Sequence, residues 1–149
     1  MRGERGRRRS APAFACCALA LALLSACAAD GRRSGLPPGA QEAIDALTQD
    51  VADGRFDEVY AAAADEWRAT ASAEESRNAL ARVRDRLGRV QSRVPVSATE
   101  QPNAAAGRTL SVSYNTKFER ADAIESVTLV ERGGRWRLAR YSVNSDALK

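Results

Sequence analysis

The chain of 149 residues contains no histidine. That absence removes Ser-His-Asp triads, Cys-His dyads and every histidine-ligated zinc site by inventory. Aromatic residues are scarce too, with three Phe, two Trp and three Tyr. A domain of about 100 residues needs large side chains to bury enough area, so those few are expected in its core. Long apolar runs are missing as well. The longest candidate, Ala11–Leu24, is interrupted by Pro12 and falls short of the about 20 residues that a spanning helix requires.

What is present at the start of the chain is an export pattern. Five arginines and a single acid, Glu4, stand in Met1–Ser10, ahead of the short Ala/Leu/Phe/Cys run. Leu24-Ser25-Ala26-Cys27 follows and resembles a bacterial lipobox, at which cleavage between Ala26 and Cys27 leaves a lipidated cysteine as the first mature residue. A positive region, a short apolar region and small residues at the cut are the parts of a secretory signal. The expectation is a signal peptide over residues 1–26 and anchoring outside the cytoplasm through acyl chains, palmitate among them, on Cys27. By resemblance to sorting signals of Gram-negative lipoproteins, Ala28 after the cysteine implies the outer membrane, facing the periplasm.

Removal of that segment changes the charge balance. The full chain carries 23 basic and 19 acidic residues, whereas residues 27–149 carry 18 of each. The basic excess belongs to export, and a nucleic-acid partner is not expected. Cys16 and Cys17 leave with the signal, and a lipidated Cys27 forms no disulfide. Carboxylates, tyrosines, Lys117 and Lys149 then remain as acid–base groups, and neither a metal nor another cofactor is expected. Residues 27–40, small, polar and rich in Pro and Gly, read as a flexible tether, with packing of Leu36-Pro37-Pro38 on the domain as the competing reading. One domain over residues 41–145 follows.

Apolar spacing predicts about three helices. Ile44, Leu47 and Val51 form a stripe over Ala40–Asp53, closed by Gly54. Phe56, Val59, Tyr60, Ala63, Ala64 and Trp67 predict a second helix over Asp57–Thr70. Ser72-x-x-Glu75 is a capping box opening a third, with Ala79, Leu80, Val83 and Leu87 inward and Gly88 at its end.

The period then becomes two. Val90, Val94 and Val96 alternate with Arg89, Gln91 and Arg93 in a strand that Pro95 confines to an edge or bends. Gln101–Gly107 reads as a loop. Leu110, Val112, Tyr114, Thr116 and Phe118 form the next inward set, and Ile124–Arg132, apolar on both faces, reads as a central, doubly covered strand. Gly133-Gly134 marks a two-residue hairpin. In the last strand Trp136 and Leu138 share one phase and Tyr141 and Val143 the other, as a bulge near Ala139-Arg140 would cause. The expected fold is α+β, with N-terminal helices on one face of a curved four-stranded antiparallel sheet.

Several segments in this order resemble a family of small bacterial lipoproteins with a domain of unknown function. They are Gly54-Arg55-Phe56, Leu87-Gly88-x-x-x-x-Arg93, Tyr114-Asn115-Thr116-x-Phe118, Glu125-Ser126-Val127-Thr128-Leu129 and Trp136-Arg137-Leu138-Ala139-x-Tyr141. The architecture also resembles the nuclear-transport-factor-2-like and cystatin-like group, in which a bent sheet wraps a helix into a cone. Arg140 stands where the resembled family has glycine, which implies a bulge either strained or of another type.

Three groups of residues invite a functional reading. Tyr60, Trp67, Tyr114, Phe118, Glu125, Trp136 and Tyr141 are candidates to line a pocket, against the alternative that the aromatic ones are core. Glu125 lies in an otherwise apolar strand. Buried, it would be a candidate general base with Tyr114 or Arg137; at the rim, it would pair with Arg137 or Lys117. Arg82, Arg84, Arg86, Arg89 and Arg93 would suit phosphates, but Asp85 interrupts them and a solvated face is the default. With no phosphate loop, nucleophile motif or catalytic residue assigned, the expectation is a non-enzymatic, membrane-anchored envelope lipoprotein. Its domain would bind an envelope protein or a small ligand. The alternative is a carboxylate-dependent enzyme of a cone-shaped fold.

Overall fold

A computed structural model describes residues 35–103 and 107–149. The expected signal peptide, Ala26, Cys27 and the tether as far as residue 34 lie outside the described residues. The described chain runs α1 (Ala40–Asp53), α2 (Phe56–Ala62), α3 (Asp65–Arg68), α4 (Ala73–Leu87), β1 (Val90–Asn103), β2 (Gly107–Phe118), β3 (Asp122–Arg132) and β4 (Arg135–Asn144), with a final 3-10 turn at Asp146–Leu148. The strands form one antiparallel sheet in the order β1-β2-β3-β4. The fold is α+β, as the switch from helical to strand period predicts.

The expected second helix is two helices. Ala63 and Ala64 are extended, because the Ala64 N–H leaves the helical ladder and donates to the Leu138 carbonyl on β4 at 2.8 Å. Nothing local in an alanine-rich stretch announces this break; a tertiary hydrogen bond makes it. The third predicted helix is α4, and its capping box is complete, with Ser72 and Glu75 each bonded to the other's backbone N–H. Along α4, Leu80 and Leu87 are buried and Val83 partly so, while Ala79 is exposed and Ser76 is buried in its place. Gly88 ends it at φ +82°, where a Cβ would stand 2.5 Å from a Glu119 carboxylate oxygen, so any other residue there is both strained and crowded.

The helices cover one sheet face. Ile44, Leu47, Val51, Val59, Trp67 and Leu80 pack with Leu110, Val112, Tyr114, Val127, Leu129, Trp136 and Leu138 in one core cluster. Leu87, Phe118 and Ala123 form a second. Each fully buried Leu or Val contributes about 1.5–3 kcal/mol. Gly133 and Gly134 turn the β3–β4 hairpin at φ +58° and +75°. Opposite Thr128 and Leu129 the pairing skips Ala139, and this bulge brings Tyr141 and Val143 onto the inner face with Trp136 and Leu138.

Several boundaries differ from the sequence reading. Leu36 packs against the core and the Pro38 carbonyl accepts the Trp136 Nε1–H at 3.2 Å, so the domain begins before residue 41. It also continues past 145, because Ala147 and Leu148 pack on the second cluster. Gln101 and Pro102 belong to β1 and Gly107 to β2, so the expected loop is shorter. Strand β3 is central, but Ile124 on its outer face is 52% exposed and not covered. Trp136 lies beside Ala43, Leu47 and Val59 of α1 and α2, while Trp67 donates to Ser76 of α4 at 2.8 Å.

Candidate functional site

The one fully buried carboxylate among the described residues is Glu125, with no exposed surface. It sits mid-β3 facing the helices, paired with Tyr114 of β2 and Val143 of β4. Its partner comes from β1. The irregular pairing at Gln91 shifts that strand by one residue, so Val90 and Arg93 both face inward and Val94 faces out, 61% exposed. The simple alternation expected for Val90, Val94 and Val96 therefore fails, as one inserted residue exchanges the faces of everything after it.

Arg93 meets Glu125 with two bonds, Nε to Oε2 at 2.6 Å and Nη2 to Oε1 at 2.8 Å. Its Nη1 donates to the Thr48 hydroxyl of α1, and the guanidinium lies over the Tyr114 ring, 5.5 Å from its centroid. Glu125 also accepts the Thr116 hydroxyl at 2.5 Å and the Tyr141 hydroxyl at 2.6 Å. Four donors thus fill the carboxylate's acceptor positions. Burial pushes its pKa up, but the hydrogen bonds and charge of Arg93, with Thr116 and Tyr141, outweigh that and hold it below the usual glutamate value. The same burial, reinforced by the Glu125 charge, holds the Tyr141 phenol well above its ordinary range. The Arg93 guanidinium loses hydration on burial, and Glu125 more than restores its preference for the charged form.

The rim reading of Glu125 is overturned: it is buried, and neither Lys117 nor Arg137 reaches it. Both stand on the opposite face, Lys117 between the buried Thr116 and Phe118 and Arg137 between the buried Trp136 and Leu138. Tyr114 is its cross-strand neighbour but does not bond it; the Tyr114 hydroxyl is buried without a partner, and burial raises its pKa.

The seven residues expected to line one pocket are distributed. Tyr114, Glu125 and Tyr141 surround Arg93. Trp67 and Tyr141 line a cleft of about 350 Å³ between α4 and β4, with Leu80, Val83, Val143 and Leu148. Trp136 borders a separate hollow of about 180 Å³, Tyr60 is a partly buried residue packed against the main cluster, and Phe118 belongs to the second cluster. The arginine series separates as well. Arg84 donates to the Ala52 carbonyl, Arg89 pairs with Asp53, Arg93 turns inward, and Arg82 and Arg86 are exposed. Sequence reading missed Arg93 and Thr116 as partners of Glu125, and Thr48 as the residue that holds Arg93. The inward phase of Thr116 was visible; the β1 shift that delivers Arg93 was not.

These features define an α+β domain whose helices and sheet are joined through an arginine–glutamate pair with a fully buried, fully bonded carboxylate. The chain belongs to the family described as Protein of unknown function (DUF4019), whose model matches residues 43–141. No curated protein matches it.

Proposed function

We propose that this protein is a bacterial envelope lipoprotein, anchored by acyl chains on Cys27, whose domain binds a ligand or partner and does not catalyse a reaction. The observation that carries the second half is the saturation of Glu125. A general base needs a free lone pair and a pKa drawn toward neutrality. Glu125 has four donors on it and a pKa held down. The enzyme alternative used Glu125 with Tyr114 or Arg137, and it loses its base on this reading.

The first half rests on the Leu24-Ser25-Ala26-Cys27 segment and its arginine-rich, apolar lead. Several acyl chains, each contributing about 0.8 kcal/mol per buried CH₂, exceed what stable attachment requires. The expected placement is the outer membrane, facing the periplasm. Labelled palmitate supplied to cells should appear in the wild-type protein and not in Cys27→Ser, and the membrane fraction should hold only the former. Equal labelling, or equal membrane retention of an unlabelled chain, contradicts the anchor.

A further inference from the structure

The sheet face turned away from the helices carries a groove of about 710 Å³ that contains none of the seven residues expected to form a pocket. Its floor is set by strand register. Val94, Asn115, Ile124 and Asn144 are successive cross-strand partners on β1, β2, β3 and β4, so one row alternates aliphatic and amide side chains. The next row toward the strand ends runs Ser92, Lys117, Asp122. Same-face rows lie about 7 Å apart along a strand.

Two properties distinguish this surface from an ordinary solvated sheet face. Val94 and Ile124 are 61% and 52% exposed, and Val94 is the most exposed large apolar side chain described. Lys117 and Asp122 face each other across β2 and β3, yet neither side chain takes an ion pair or hydrogen bond with any described residue. The Asn115 and Asn144 amides are equally uncommitted. An exposed Lys–Asp pair gains at most about 1 kcal/mol by closing on itself, so a ligand recruits both at little cost. The backbone beneath them is fixed, since the buried Ser145 hydroxyl donates to the Asp122 carbonyl at 2.7 Å.

We propose that this groove binds a free α-amino acid with an aliphatic or amide side chain. Lys117 takes the carboxylate, Asp122 the ammonium, and the Val94–Asn115–Ile124–Asn144 row the side chain. Charge spacing selects this class. Directly opposed residues on antiparallel strands have Cα atoms about 4.5–5.5 Å apart, so the flexible Lys117 ammonium and the Asp122 carboxylate can both reach charges held close together. That suits an ammonium and a carboxylate on one carbon, whereas the two ends of an extended peptide separate by about 3.3–3.6 Å for every residue added. The inference rests on the proposed binding role and names its ligand class.

The test is amide NMR of the protein, both as the acylated mature chain in detergent and as Cys27→Ser, titrated separately with L-leucine, L-glutamine, N-acetyl-L-leucinamide and O-phosphoethanolamine. Saturable shifts of the Asn115 and Asn144 side-chain amides with leucine or glutamine are expected in both forms, and none with the uncharged amide. Lys117→Gln and Asp122→Asn, both at exposed positions, should each weaken binding about tenfold with unchanged signals from the buried Val127 and Leu129. The proposal is overturned by absent shifts, by equal shifts with the uncharged amide, by binding of O-phosphoethanolamine alone, or by unaffected variants. A chain that binds leucine but carries no acyl group removes the anchor and leaves the groove; an acylated chain without shifts does the reverse.

Discussion

Arg93 and Glu125, 32 residues apart in sequence, are joined by two parallel bonds of 2.6 and 2.8 Å on the sheet face that the helices cover. Because Arg93 also holds Thr48 of α1, the pair links β1, β3 and the first helix. Geometry of this kind fixes register, since a one-residue slip of either strand turns its charge to the solvent side and strands the other.

Breaking the pair should be far worse than replacing it. Arg93→Met leaves Glu125 buried and uncompensated and is expected to cost about 3–5 kcal/mol in urea melts. The double variant Arg93→Met with Glu125→Leu removes both charges and should recover much of that loss, giving a large coupling in the double-mutant cycle. Additive losses contradict the account.

Acid should act through the same carboxylate. A glutamate whose folded pKa lies below its unfolded value, about 4.3, adds stability that is fully present above the unfolded value and lost as pH falls through the folded one. Glu125 is in that class. Asp53 is held down by Gln49 and Arg55, Asp65 by Arg68, Glu75 by Ser72 and Glu131 by Arg108, so part of the slope persists in any single variant. Melts of Glu125→Gln below about pH 5 should therefore show a shallower acid slope than wild type; an identical slope contradicts the assignment.

Trp136 provides an independent probe of the core. It is 8% exposed, stands beneath Arg108 at 5.2 Å, and donates to the Pro38 carbonyl. Trp136→Ala should cost about 3–5 kcal/mol, a large part of the roughly 5–15 kcal/mol typical of a domain. Denaturant unfolding of the full chain measures it, and a change below about 1 kcal/mol returns this residue to the class of pocket candidates.

Gly88 tests the join between α4 and β1. Gly88→Ala places a methyl on a left-handed residue and against Glu119, whose carboxylate also accepts the Arg89 N–H at 3.1 Å. A loss of about 1 kcal/mol or more is expected. Glu119→Ala in the same background should relieve the carboxylate's share of the crowding, but neither the 2.9 Å approach of the residue 119 Cβ nor the backbone strain.

How much of this was legible depends on whether the controlling interaction is local. The capping box, the Gly133-Gly134 turn, the β2 inner face and the bulge after Leu138 are written in neighbouring residues, and each stands where the pattern put it. Ala63 and Ala64 read as helix because only the distant Leu138 carbonyl breaks it. Arg93 read as surface because the shift at Gln91 is a property of pairing with β2, which a single strand's alternation does not record. That second miss also left open whether Glu125 is buried or at the rim, since its partner was not visible.

The most direct measurement is the pKa of the Glu125 carboxyl, followed by ¹³C NMR of the side chain in the intact protein. The bonded, non-catalytic carboxylate described above predicts a value below the about 4.3 of an unperturbed glutamate, rising when Arg93 is replaced by methionine. A value near about 6–7, where general bases operate, would contradict it and restore the enzyme reading.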